Sequence, residues 1–324
     1  MSTKKYSFIY PLLLLLAALI WGVAFTAQDM ASELGAFTIG AVRNLFATVF
    51  LFAVIPLFDK LFKNGRSILP KKGSAPFTKY ELIGGVLMGA FLALASALQQ
   101  AGINGGTDPG KASFITALYV VLVPVFSLVI GKRQPITVWI SVVIAAVGFY
   151  FLCVSGDFGI VPTDLLILAA AVVFALHIMV IDRFSPVGDG IRMSAIQFAS
   201  GTVINLILAL IFESPIDFAA VGAAILPLLY LGIASSGVAY TLQIIGQRGT
   251  PPTAASLLLS LESAFGVLGA AVIIGEVMTP REYIGCATVF FAVVLSQLDV
   301  YAIVRKIKEK IKSRNSQAAP KGDG

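Results

Sequence analysis

Ten apolar stretches of about 20 residues each dominate the sequence. They cover residues 7–28, 36–58, 80–101, 110–131, 135–154, 164–182, 192–212, 221–243, 251–274 and 281–298. That length matches a helix crossing the hydrocarbon core of a bilayer. Backbone amides and carbonyls in lipid must bond within their own segment or within a closed barrel. These runs are continuous rather than alternating, which argues against barrel strands. The sequence therefore predicts an all-α integral membrane protein with ten transmembrane helices. Composition agrees, because the chain is 58% hydrophobic and 12% charged, against about 45–50% and about 25% in soluble domains. Lys4 and Lys5 precede the first run, which is too long for a signal-peptide core and reads as a retained span.

The basic residues orient the bundle. With the N-terminus in the cytoplasm, 20 of the 23 lysines and arginines fall on the cytoplasmic side, including the seven from Arg305 to Lys321. Lys111 and Arg281 fall outside, and Arg43 lies within a span. The outer loops carry acids instead, among them Asp29, Glu33, Asp164 and Glu213. Both termini are thus expected in the cytoplasm. The net charge of +6 reflects this topology and calls for no nucleic-acid partner. In the tail, Val300, Ile303, Val304, Ile307 and Ile311 share one face among basic residues. Two readings are open there: a helix lying on the anionic leaflet and a solvated basic tail.

The chain also repeats itself. "LQQAGINGGTDPGKASFITAL" from Leu98 parallels "LQIIGQRGTPPTAASLLLSL" from Leu242. Leu-Gln-x-x-Gly recurs 144 residues on, and Thr107, Pro109, Ser113 and Leu118 match Thr250, Pro252, Ser256 and Leu261 at a spacing of 143. With five runs in each half, the second copy enters the bilayer from the opposite side. An inverted repeat of this kind is a common plan among secondary transporters. The expected divisions are a first repeat at 1–156, a second at 157–298 and a basic cytoplasmic tail at 299–324. Thr-Asp-Pro and Thr-Pro-Pro at the two junctions predict capped, sharply started helices.

Four segments then show a family likeness: "WGVAFTAQDMA…GAVRNLF", "LQQAGI…ASFITALYVVLVPVF", "LQIIGQR…TAASLLLSLESAF" and "IIGE". The chain resembles the EamA-like transporters of the drug/metabolite transporter superfamily over nearly all of residues 10–298. The resemblance implies ten helices, with helices 1–4 and 6–9 around a central cavity and helices 5 and 10 at the periphery. It also implies movement of small organic solutes, often export of amino acids or other metabolites. One departure is that the family's Ser-Leu-Glu-Pro reads Ser260-Leu261-Glu262-Ser263 here, so any kink from that proline is in doubt.

Glu262 is the foremost functional candidate, as the one charged residue between Arg248 and Glu276. A charge at mid-bilayer costs roughly 2.5–3.5 kcal/mol on insertion scales. Ala255, Gly266 and Gly269 lie within about 40° of it at about 100° per residue, and leucines occupy the other side. The acid is therefore expected to face the bundle, as a solute contact, a proton carrier or a structural acid. Its repeat mate is Tyr119. Arg43, with Asn44 on its face, can hold a solute carboxylate, pair with an acid or snorkel to the outer interface. Gln99 and Gln243 are repeat-related amides suited to a polar zwitterion or to interhelical bonds. Trp21 and the tyrosines Tyr119, Tyr230 and Tyr240 either line a cavity or pack. His177 reads as structural before it reads as a proton relay. Gly85 and Gly89 mark a close helix contact.

These features lead to the expectation of a secondary transporter of small polar organic solutes, with protons as the candidate coupling ion, in a prokaryotic inner membrane. A nucleotide-sugar or phosphate-ester exchanger is the alternative, but the spans offer it only Arg43 and the nearby Lys111. An integral-membrane lipid or prenyl transferase needs clustered Asp or His, and none is evident. Cys153 and Cys286 form no metal spacing, and His177 is the single histidine. No metal, no cofactor and no ATP-binding motif are expected.

Overall fold

The computed structural model describes residues 8–61, 77–107, 109–153, 161–273 and 278–297. The basic tail, and most of the loop holding Lys63 to Lys72, lie outside these residues. Every regular element among them is helical. The helices are α1 (Ile9–Gly22), α2 (Ala24–Asp29), α3 (Ala36–Leu61), α4 (Lys79–Asn104), α5 (Pro109–Ala117), α6 (Tyr119–Val129) and α7 (Ile136–Cys153). They continue with α8 (Asp164–Phe184), α9 (Gly190–Phe212), α10 (Phe218–Ala223) and α11 (Ile225–Leu229). A π-helical segment (Tyr230–Tyr240) leads into α12 (Thr241–Gln247), followed by α13 (Pro252–Leu259), α14 (Glu262–Ile273) and α15 (Pro280–Gln297).

Seven helical stretches are long and apolar enough to cross a membrane: Ile9–Asp29, Ala36–Lys60, Lys79–Asn104, Lys111–Val129, Asp164–Phe184, Gly190–Phe212 and Ile225–Gln247. Ile136–Leu152 and Pro252–Leu268 are shorter apolar helices. The surface is inverted relative to a soluble protein. Leu165, Val49 and Ile211 are more than 60% exposed, while Gln28, Arg43, Gln99, Gln243 and Glu262 are buried. Such an apolar exterior over a polar interior is stable only in lipid. The protein is an integral membrane protein.

Caps fix where the long helices begin. Thr78 Oγ1 accepts from the Glu81 amide and Glu81 Oε2 from the Thr78 amide, a reciprocal box that starts α4. Asp189 Oδ1 accepts from the amides of Ile191 and Arg192 at the head of α9. Glu213, at the end of α9, accepts from the amides of Phe37 and Thr38 and so caps α3 from another helix. Asp108, the residue before α5 at the first junction, lies outside the described residues, and at the second junction the threonine behaves otherwise than expected. Pro251 is the residue that precedes α13, and it provides no side-chain cap. The Thr250 hydroxyl has no partner among the described residues, while Thr107 bonds to Thr163 and Asp164. The fixed φ of proline, not a hydroxyl cap, starts α13.

Small residues bring the helices together. A Cβ on Gly85 would meet Ile196 at 2.6 Å, and one on Gly89 would strike Ser200 and Gln197, so this pair does mark the contact of α4 with α9. α7 and α15 pack against each other, where a Cβ on Gly285 would lie 2.9 Å from the Gly148 carbonyl. α1 and α14 approach backbone to backbone, since a Cβ on Gly22 would lie 2.8 Å from the Gly266 amide nitrogen. Lipid gives helices no hydrophobic reason to associate, so close approach and dispersion must hold them.

Three runs are broken near their centres: α1 from α2 at Val23, α5 from α6 at Leu118, and α13 from α14 at Ser260 and Leu261. The last break occurs without the proline that the resemblance would place after Glu262. Local i→i+3 bonds tighten these turns, as between the Leu118 amide and the Ile115 carbonyl and between the Ser263 amide and the Ser260 carbonyl. Leu118 and Leu261 are the positions matched at a spacing of 143 in the sequence.

Candidate functional site

All three breaks open onto one cavity, with about 550 Å³ of empty space when its mouth is included. Trp21 and Ala24 flank the first break, Thr116 and Tyr119 the second, and Leu259 and Glu262 the third, and all six line the cavity. Helix breaks at a cavity are the setting in which membrane proteins tolerate irregular backbone.

Two charges of opposite sign reach this space. Glu262 is the first residue of α14 and Tyr119 the first of α6, and the Tyr119 hydroxyl donates to Glu262 Oε1 at 3.2 Å. The two repeat-matched residues therefore touch. Arg43 turns inward from α3 instead of snorkelling. Its Nε donates to Ser236 Oγ at 3.1 Å and its Nη2 to Ser235 Oγ at 3.2 Å. Among the described residues Arg43 and Glu262 make no ion pair with each other or with any third group. Each is about 93% buried and answered only by neutral hydroxyls. Removing a charge from water costs several kcal/mol unless it is paired, and both of these groups line the same cavity.

The amides form a chain along the cavity lining. Gln28 Nε2 donates to Gln99 Oε1 at 3.1 Å, and Gln99 Nε2 donates to Thr116 Oγ1 at 2.9 Å. Gln243 also lines the cavity, with its buried Oε1 unpartnered. An aromatic group backs the site. Trp21 and Tyr240 have ring centroids 4.5 Å apart, and His177 and Phe198 meet Tyr240 edge-on at 5.9 and 5.8 Å. His177 bonds to Gln197 Oε1 at 3.0 Å, and Trp21 Nε1 donates to the Ser235 carbonyl at 3.1 Å.

Seven of the eight sequence-selected residues thus gather in one place: Glu262, Arg43, Gln99, Gln243, Tyr119, Trp21 and His177. Asn44 does not join them. It points at α9, with Nδ2 2.8 Å from where a Gly201 Cβ would lie, because the residue after Arg43 is about 100° further round the helix. Tyr230 also stands apart, donating to the Ile20 carbonyl. The lining draws on most of the helices that the resemblance puts around a cavity, but not on α9, which packs behind α3 and α4. Lys111 pairs with Asp164 and does not line the cavity. Ser235 and Ser236 were not singled out from the sequence. Their signal was a polar pair between glycines in "GIASSG", inside an apolar run.

A lipid-embedded helical bundle, broken around a polar cavity, is the architecture of a membrane transporter. The chain belongs to the EamA-like transporter family, whose sequence model matches residues 8–154 and 161–298. It is 29% identical over 292 residues to an uncharacterized transporter of Archaeoglobus fulgidus, covering 89% of this chain and 85% of that protein. It is 26% identical over 322 residues to the threonine/homoserine exporter RhtA of Escherichia coli, covering 95% and 98%. A crystal structure at 17% identity shares the fold, with a TM-score of 0.71 over 92% of this chain and 98% of the other. The named relatives are transporters and exporters, not enzymes.

Proposed function

We propose that the protein is a secondary transporter that exports small polar organic solutes, amino acids or related metabolites, by alternating access. The observation that carries this reading is the pair Arg43 and Glu262, opposite charges in one cavity and unpaired with each other. A zwitterion supplies a carboxylate for the first and an ammonium for the second. The printed activity of RhtA supports the same solute class. In this reading the ten helical runs form two inverted repeats, 1–156 and 157–298, and the tail 299–324 lies in the cytoplasm with the N-terminus. The membrane is a prokaryotic inner membrane. The two family matches and the charge distribution support that arrangement. Glu262 is proposed to carry the coupling proton, since it sits at a helix break in direct contact with its repeat mate.

Purified protein in liposomes, screened for counterflow and for accumulation driven by a pH gradient, tests the reading. Threonine and homoserine belong in the panel, as do hydroxy acids and nucleotide sugars. The expected result is exchange of small amino-acid-like solutes. Exchange confined to nucleotide sugars or phosphate esters would sink it.

A further inference from the structure

The π-helical segment Tyr230–Tyr240 is the one regular element among the described residues that is not α-helical. Such i→i+5 helices occur mostly as single-turn bulges, frequently at functional sites, and this one runs for 11 residues. Its contact with α3 has a clear pattern. Gly232 and Gly237, five residues apart, meet Phe46 and Phe50. A Cβ on Gly232 would lie 2.5 Å from Phe46 Cβ and 2.9 Å from the Arg43 carbonyl, and one on Gly237 would lie 2.7 Å from Phe50 Cδ1. The missing side chains let α3 approach closely.

Between those glycines stand Ser235 and Ser236. On an α-helix, consecutive side chains diverge by about 100° and do not face a common partner. A wider helix turns less per residue, and here both hydroxyls reach one guanidinium. They occupy its Nε and Nη2 atoms, at 3.1 and 3.2 Å. Nη1 has no partner among the described residues, although Arg43 lines the cavity. Two bonds on one edge fix the plane of a guanidinium. The remaining edge, formed by Nη1 and the second Nη2 hydrogen, presents two parallel donors that match a carboxylate. Trp21 holds the same stretch from another side through the Ser235 carbonyl.

We propose that Ser235 and Ser236 are positioning residues for Arg43, and that the three form a carboxylate subsite in the cavity for small organic monocarboxylates. This rests on the transport reading above and names the group that the site selects. The serines do not touch the solute; they set the angle at which Arg43 meets it.

Counterflow in proteoliposomes tests the subsite, with amino and 2-hydroxy acids compared against their carboxamides, beginning with L-threonine and L-threoninamide as competitors. The wild-type protein is expected to favour each exchanged carboxylate over its amide by roughly tenfold or more, the scale of one charge-assisted hydrogen bond. In the double variant Ser235→Ala/Ser236→Ala, that preference should fall to about threefold or less. The fall should come from a raised KM for the carboxylate, with amide competition and folded yield unchanged. A purely structural role would weaken both ligands alike. An unchanged preference in the double variant overturns the subsite and leaves the transport reading standing. Loss of folded protein in both single variants overturns it as well, since the serines would then be structural. Failure of the wild-type protein to exchange any carboxylate removes both readings.

Discussion

The regions around α4–α6 and around α12–α14 have matching polar residues at a spacing of 143 to 144, yet their polar groups fare differently. Gln99 is bonded at both ends of its amide, whereas the matching Gln243 has a buried Oε1 with no partner. Thr107 bonds to Thr163 and to Asp164, which also pairs with Lys111. The hydroxyls of Thr250 and Thr253, and Oε1 of Gln247, have no partner among the described residues. An unsatisfied buried group costs about 1–3 kcal/mol. Among the described residues the first junction is therefore the better satisfied, with only Gln100 Oε1 unmet in α4, while the second leaves several polar atoms without partners even though Gln247 Nε2 bonds to the Ile178 carbonyl. Under the alternating-access reading, the two junctions exchange roles, and water supplies the missing partners when the second one opens.

The contrast can be broken by mutation. The largest expected effect is at the residues where the two regions meet. Glu262→Gln should abolish pH-driven accumulation and weaken counterflow of amino acids by roughly tenfold, because the ammonium loses its counter-charge, while counterflow of 2-hydroxy acids stays within about threefold, since the amide can still accept from Tyr119. Unchanged pH-driven accumulation would remove the proton from the account. Next comes the glutamine pair. Gln99→Ala strands Gln28 and Thr116 and should cost about 1–3 kcal/mol of stability, read as a lower unfolding temperature in detergent. Gln243→Ala strands nothing and should stay within about 0.5 kcal/mol, with its effect confined to transport. Equal destabilisation by the two would erase the asymmetry. The smallest effect is at the threonines: Thr107→Val should cost about 1 kcal/mol and Thr250→Val no more than about 0.5 kcal/mol.

The helices themselves were legible because lipid makes hydropathy and helix length the same quantity. Helix lies in each apolar run read from the sequence, with ends shifted by a few residues. Glu262 lines the cavity, but Leu257 and Leu261 on the other side of its run are buried as well, so the glycine–leucine split around that helix did not mark a lipid face. The breaks at Val23 and Leu118 were not legible, because neither residue breaks helices intrinsically; packing imposes them. Nor was the wide segment at Tyr230–Tyr240, where no proline signals a departure from α geometry. Arg43 left three fates open in the sequence. Only the position of Ser235 and Ser236 on another helix decided among them.

The touching backbones of Gly22 and Gly266 have a mechanical consequence. Backbone has no rotamers, so this contact cannot be reset by a side chain changing conformation. The neighbouring joints are close by, at Val23 on one strand of the crossing and at Ser260 and Leu261 on the other. Gly266 divides α14 into arms of about 6 Å towards Glu262 and about 10 Å towards Ile273, at 1.5 Å per residue. Under the alternating-access reading the crossing acts as a fulcrum, and a tilt about it would swing the far end of α14 through a wider arc than the acid. The carboxylate would then stay near the middle of the bundle while the wall beyond it moved.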